Sequence, residues 1–276
     1  MGPADDETLS AGGLLSDEQF SRVARLAMDR FGLDLPVRKR QMVTNRLTRL
    51  RRDMQLESLE SLIGVLEQSD SGEDRLQLFD VLSTNLTHFL REHEHLETLL
   101  RELDQAPWDR LRIWSAGCSA GCEPYSISMV LAEHYENLAR KDFKLLATDF
   151  SVSVLRQAKE GLYSQEMVRN LSPEQLTRFM EPQGEEFRVR EVLRRPITFA
   201  LLNLMEPWRM QGPFDAIFCR NVMIYFDKPT REQLTRRFTE LLKPGGLLFL
   251  GSSESLSGNH RELLRIAPSS YRRSCS

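Results

Sequence analysis

Cysteine is scarce, with four in 276 residues, too few for a disulfide scaffold. Reduced thiols and a cytoplasmic location are expected. No stretch approaches the roughly 18–20 consecutive apolar residues of a membrane span, so no membrane insertion is expected. The opening MGPADDETLS is acidic and lacks an apolar core, so no secretory signal is expected. No Gly-x-x-x-x-Gly-Lys-Ser/Thr loop occurs, which argues against an NTPase. No Gly-x-Ser-x-Gly elbow occurs, which argues against a hydrolase of that kind. Internal repeats and low-complexity tracts are missing as well. What is there is an ordinary globular mix, 41% hydrophobic and 28% charged. That excludes a collagen-like chain and disorder over most of the length.

The net charge of −3 hides an asymmetry. From Arg22 to Arg52 there are ten Lys/Arg against two acids, a net of +8. From Asp53 to Asp80 there are eight acids and one Arg, a net of −7. A basic face of this kind favours an anionic partner through long-range attraction. A solvated helix surface would leave the same pattern.

Residues 1–15 read as a disordered tail. Ser16 and Gln19 fit a capping box, and apolar residues then recur at helical spacing through Leu103. Residues 16–105 therefore read as an all-helical domain. The texture changes at LRIWSAG (111–117), a buried strand, and 106–276 reads as α/β. FKLLATD (143–149), ITFALLNL (197–204), AIFCRN (216–221) and LLFLG (247–251) read as further strands. Helices alternate with them, including one from Thr230, so the sheet is mostly parallel. EFRVREVL (186–193) alternates polar and apolar after a turn-like Pro182-Gln183-Gly184. It reads as a small antiparallel excursion of about 178–196.

In open α/β sheets, ligands bind beyond the carboxyl ends of the strands. Gly117 to Glu123 follow the first strand, and their small residues let a ligand approach the backbone. Asp149 ends the second, where an acid commonly accepts from ribose hydroxyls; capping the next helix is the alternative. Asn203 and Leu204 follow the third strand, Arg220 and Asn221 the fourth. A glycine turn, an acid and polar strand ends suit a nucleoside ligand without phosphates. Cys118, Cys122 and Cys219 fall at adjacent strand ends. Without a second close pair or nearby histidines they read as buried apolar thiols, and no metal is expected.

SAGCSAGCEPYSISM resembles the SAGCSxGEEPYSxAM segment of the chemotaxis receptor methyltransferases, the CheR family. CRNVMIYFD followed by LKPGGLLFLGSSESL resembles its second signature. STNLTHFLRE (83–92) resembles its TTNxTxFFRE segment, and ATDFSVSVLRQAKEGLYS also matches. The resemblance runs in order from about residue 20 to 273. It implies an S-adenosylmethionine-dependent O-methyltransferase acting on glutamate side chains of bacterial chemoreceptors, with S-adenosylhomocysteine as product. The implied fold is a class I methyltransferase sheet, Rossmann-like, with an all-α N-terminal domain and a β-subdomain insertion. The implied cofactor contacts are Asn85, Thr87, Arg91, Glu123, Asp149, Asn203, Leu204, Arg220 and Asn221. Tyr225 would face the transferred methyl. The chain departs from the pattern at Cys122, where a second Glu is usual, and at Leu90, where a second Phe is usual.

An acceptor glutamate has an unperturbed pKa of about 4.3 and is ionised at neutral pH. It needs no general base, only alignment and partial desolvation. Arg91 and Tyr225 are the expected positioning groups; Arg91 suits either the cofactor's carboxylate or the substrate's. Arg38, Lys39, Arg40, Arg46, Arg49, Arg51 and Arg52 would then align the Glu-rich helical region of a receptor. EPQGEEF (181–187) has one glycine, which suits independence from a receptor C-terminal pentapeptide. No sustained heptad occurs, and a monomer is expected. A different acceptor, nucleic acid included, and a non-catalytic receptor-docking module are the alternatives. Against a base-flipping enzyme, no Pro pair follows the fourth strand.

Overall fold

The computed structural model describes residues 14–69, 78–82, 87–105, 107–256, 258 and 260–275, in two compact units that divide after Thr84. The first unit holds α1 (Asp17–Phe31), α2 (Arg40–Asp53) and α3 (Leu59–Gln68). The capping box forms: Gln19 N–H donates to Ser16 Oγ, and Ser16 N–H to Gln19 Oε1, both at 3.1 Å. Gly32 ends α1 at φ 67°, the left-handed cap that only glycine adopts without cost. Val23, Ala27, Phe31, Val43, Leu47, Leu62 and Ile63 are buried, giving this small unit its core. The expected tail of 1–15 is too long at its inner end. Leu15 is buried, and its N–H reaches Thr44 Oγ1 at 3.3 Å. Residues 1–13 lie outside the described residues.

The second unit begins with α4 (His93–Leu103), then β1 (Arg110–Ala116), α5 (Cys122–His134), β2 (Asp142–Asp149) and α6 (Val152–Glu160). Next come β3 (Leu162–Ser164), β4 (Met180–Gln183), β5 (Glu186–Val189), β6 (Ile197–Leu201) and β7 (Phe214–Cys219). α7 (Lys228–Leu241), β8 (Leu242–Leu250), β9 (Leu263–Ala267) and β10 (Ser270–Arg273) complete it. One sheet has the order β6-β2-β1-β7-β8-β10-β9. Its first five strands are parallel; β10 pairs antiparallel with β8 and with β9. A second, antiparallel sheet has the order β3-β5-β4.

Three boundaries differ from the sequence reading. The all-helical domain expected over 16–105 stops at residue 84, because α4 belongs to the sheet: Leu96 and Leu99 share a core cluster with Leu111, Ile113, Ile127 and Phe143. Helical spacing reveals an apolar face but not what covers it. The β-subdomain, expected over 178–196, begins with β3, whose Tyr163 is buried against Phe89 and Tyr125. A three-residue strand has too few positions to show alternation. α7 starts at Lys228 instead of Thr230, because Asp227 caps it by accepting from Thr230 N–H at 3.0 Å.

Leu99→Ala is expected to destabilise the sheet unit by about 2–5 kcal/mol. Denaturant unfolding followed through a probe in the sheet checks this; a loss confined to α1–α3 would contradict the assignment of α4.

Candidate active site

Strand order reverses at β1, whose neighbours β2 and β7 lead away in opposite directions. In an open α/β sheet a ligand crevice belongs at this point, beyond the carboxyl ends of the strands. The turns leaving β1 and β7 are pressed together. Gly117 has φ 86°, and a Cβ on it would lie 2.3 Å from Val222 Cγ2. Both the conformation and the space require glycine. Gly117 and Cys118 N–H both donate to Thr148 O, at 2.8 and 2.9 Å, which extends the β1–β2 ladder into the turn.

Asp149 is buried at the end of β2. Its carboxylate accepts from Ser119 N–H at 2.8 Å and Ser151 N–H at 2.9 Å. The cap of α6 is Ser151, not Asp149. The acid is therefore aimed across the glycine turn. Ser119 adopts φ 48° to meet it.

Arg220 is the centre of a buried charge cluster. Its side chain is 3% exposed, too little for water to compensate the charge. Nε lies 3.3 Å from Glu92 Oε2 and 3.5 Å from Glu123 Oε2, and Nη2 donates to Arg91 O. Glu123 also accepts from Ser115 Oγ at 2.6 Å. Glu92 accepts from Ser252 N–H at 3.2 Å and Ser252 Oγ at 3.0 Å, and lies 3.3 Å from His95 Nδ1. Burial pushes the Glu92 carboxyl up, but the Arg220 charge and the Ser252 donors outweigh it and hold it below the usual carboxylate range. Burial prevails at Glu123, whose carboxyl is raised against the pull of Arg220 and Ser115. Burial likewise lowers His95, helped by the Arg220 charge.

Asn221 follows at φ 59°. Its N–H donates to Glu254 Oε2 at 2.9 Å, and its Nδ2 is 3.5 Å from Glu92 Oε1. Tyr225 is half-buried in the short turn Met223–Tyr225 just beyond. Asn203 is buried after β6; its Oδ1 accepts from Met205 N–H at 2.9 Å. Leu204 O accepts from Trp208 Nε1 at 3.2 Å and Arg237 Nη1 at 2.7 Å. Thr87 is in hydrogen-bonding contact with the Cys122 thiol, which burial pushes up to about 12. Arg91 is half-buried, and its charge acts on Glu123. Asn85 lies outside the described residues. Cys118, Cys122 and Cys219 are buried. Among the described residues no three His, Cys, Asp or Glu side chains are placed to hold a metal ion.

The sequence reading passed over Glu92 and Glu254 as site residues, although both lie in segments it singled out. Four non-glycine residues with positive φ surround the crevice: Leu90, Glu92, Ser119 and Asn221. Such strain concentrates at functional sites, but a sequence carries no mark of it.

In the helical unit the seven basic residues divide. Arg40 pairs with Asp17, Arg46 Nη1 donates to Val81 O at 3.1 Å, and Arg51 Nη1 donates to Glu57 O at 2.9 Å. Lys39 is half-buried, and burial lowers it, helped by Arg38 and Arg46. Arg38, Arg49 and Arg52 are exposed. Arg22 binds Glu60 and Glu67 of α3, so part of the charge asymmetry is satisfied internally.

The profile described as the CheR methyltransferase SAM-binding domain matches residues 85–272, and the one described as the CheR methyltransferase all-alpha domain matches 18–83. The chemotaxis protein methyltransferase of Escherichia coli is 43% identical over 248 residues, covering 88% of this chain and 86% of that one. Its namesake from Salmonella typhimurium is 42% identical over 253 residues, covering 90% and 87%. A third, from Borreliella burgdorferi, is 36% identical over 270 residues, covering 94% and 95%. S-adenosylmethionine fits what the crevice offers. The glycine turn leaves no side chain at Gly117, Asp149 is a buried carboxylate beside that turn, and the acids suit a cationic ligand.

The carboxylates titrate with opposite signs. Glu92, with its lowered folded pKa, contributes stability above its unfolded value near 4.3, and loses it as pH falls through the folded value. Glu123, being raised, contributes stability below its unfolded value, lost as pH rises through the folded one. Glu92→Gln is therefore expected to destabilise at neutral pH and to lose less stability than the native protein on acidification below about pH 4.3. Unfolding curves across that range check it; parallel pH profiles for the two proteins would contradict it.

Proposed function

This chain belongs to the CheR methyltransferase family, and on that premise we infer that it methylates glutamate side chains of bacterial chemoreceptors. It is an S-adenosylmethionine-dependent methyltransferase of chemotactic signalling. The product on the receptor is a glutamyl methyl ester. The observation that carries this reading is the set of residues at the β1/β7 reversal, where Asp149, Arg220 and Asn221 stand at strand ends, with Glu123 in the first turn of α5 and Tyr225 in the turn beyond β7.

S-adenosylmethionine, when bound, supplies a methyl group activated by the sulfonium it is attached to. The chain's own residues do the rest. Asp149 and the turn 117–121 receive the nucleoside, with Asn203 and Leu204 at its far side. Arg91 holds a carboxylate at the rim; its main chain is pinned through its carbonyl by Arg220, which supports a fixed position for the guanidinium. A guanidinium grips a carboxylate bidentately. Gripping the substrate would lower its nucleophilicity, so the cofactor's carboxylate is the better assignment. Tyr225 faces the reacting groups and orients the incoming carboxylate. The substrate glutamate is already an anion at neutral pH, so no side chain need remove a proton. Attack brings an anion to a cation, and closing the crevice to water favours the step because charge disappears along it.

Arg38, Arg49 and Arg52 are the exposed part of the basic surface, and we assign them to the Glu-rich helical face of the receptor. Arg40 and Arg51 serve the helical unit itself. The β4–β5 connection is two residues, Gly184-Glu185, with Gly184 at φ 64°. So tight a hairpin supports independence from a receptor C-terminal pentapeptide. The large exposed apolar side chains sit on separate elements, such as Val37, Val192 and Leu264, which supports a monomer. No helix among the described residues is long and apolar enough to cross a membrane; a cytoplasmic location is part of the proposal.

Incubation with methyl-labelled S-adenosylmethionine and chemoreceptor membranes is expected to give base-labile label on the receptor. Base-stable label on nucleic acid would favour another acceptor, and cofactor binding without turnover would favour a docking module. Tyr225→Phe is expected to lower kcat by about ten-fold or more, a loss of about 1.4 kcal/mol in transition-state stabilisation. Reversing Arg49 and Arg52 to Glu is expected to raise KM for receptor and leave adenosylhomocysteine affinity unchanged by calorimetry. A loss of that affinity instead would remove these residues from docking.

A further inference from the structure

The GSSESL segment after β8 carries a buried acid that the mechanism above does not use. Glu254 is 6% exposed. Its partners are backbone amides. Oε2 accepts from Gly251 N–H at 2.6 Å and Asn221 N–H at 2.9 Å, and Oε1 accepts from Ile224 N–H at 3.0 Å. These donors come from two different strand ends, and all three have left their ladders. Asn221 is in the left-handed region, and Ile224 lies within the tight turn 223–225. The packing leaves no room for a slack arrangement: a Cβ on Gly251 would lie 2.8 Å from both Asn221 N and Glu254 Oε2. Glu254 is itself fixed. Its N–H donates to Gly251 O at 2.8 Å, and its carbonyl accepts from Ser269 Oγ at 3.0 Å.

We infer that Glu254 is a positioning residue of the methyl transfer: its carboxylate is the template on which the turn from Asn221 to Tyr225 is held, so that Tyr225 is presented to the crevice. The inference rests on the assignment of Tyr225 above and adds what fixes it. A carboxylate suits the task because both oxygens only accept, so three N–H donors find no competing donor. Glutamine at this position would turn an NH2 toward one of them. Aspartate would stop a methylene short. Burial holds the Glu254 carboxyl above the usual carboxylate range, and the Gly251, Asn221 and Ile224 amides offset this only in part.

Glu254→Gln is expected to lower kcat by roughly 10–100-fold, the scale on which small misplacements act, while cooperative thermal unfolding is retained. Tyr225→Phe is then expected to cost much less in the Glu254→Gln background than in the native protein, because a misplaced hydroxyl has less to lose. Native kcat in Glu254→Gln, or equal fold-losses from Tyr225→Phe in both backgrounds, would overturn the inference. A native protein that transfers no methyl defeats the assignment of Tyr225 and this inference with it. A native protein that does, with independent losses, defeats the inference alone. Should Glu254→Gln not fold, amide exchange in the native protein decides. The Ile224 side chain is 48% exposed, yet its N–H is expected to exchange slowly; exchange at the rate of an open loop would overturn the inference.

Discussion

Where five parallel strands end together, their last N–H groups have no ladder partner, and here carboxylates supply one. Asp149 holds Ser119 and Ser151, Glu92 holds Ser252, and Glu254 holds Gly251, Asn221 and Ile224. Where the donor is buried, as at Ser151 and Gly251, leaving it unpaired would cost about 1–3 kcal/mol. The shape of the site follows from these bonds. Each acid binds a turn that leaves one strand to a turn or strand nearby.

The same acids set the electrostatics. Arg220 stands between Glu92 and Glu123 with almost no exposure. A single guanidinium balances two carboxylates, and Asp149 and Glu254 add to the acidic side. Such a crevice favours a cation entering it, which suits a sulfonium donor. It also requires that Arg220 not be spent on the ligand alone, because its withdrawal would leave two half-buried acids without compensation. A residue implied as a cofactor contact is thus also the keystone of the wall. The strained backbone at Leu90, Glu92, Ser119 and Asn221 is held by these contacts, as Leu90 N–H on Ser126 Oγ at 2.9 Å also illustrates.

The helical unit uses charge differently. Its ion pairs lie on the surface, where each is worth little in stability. What they do is remove some basic groups from service: Arg22 and Arg40 are occupied by Glu60, Glu67 and Asp17. The outward charge that remains, at Arg25, Arg38, Arg49 and Arg52, is smaller than the count of ten basic residues suggests.

The glycine turn, the acid ending β2, the alternation of strands and helices and the capping box at Ser16 were all legible, because each is a short-range pattern that spacing reveals. The linear order of motifs also carried the family. The last two strands, β9 and β10, were not legible; β9 mixes Leu263 and Leu264 with Arg265, without alternation. The end of the helical unit was misplaced because α4 has the same amphipathic spacing as α1, and only packing against Leu111 and Ile113 tells them apart. By itself, then, the sequence determined most of the elements, the architecture and the family. Tertiary structure alone decided which acids are tethers and which arginines remain outward. Those answers depend on partners far apart in the chain, such as Glu92 and Arg220, 128 residues from each other, which meet only when the sheet has closed the distance.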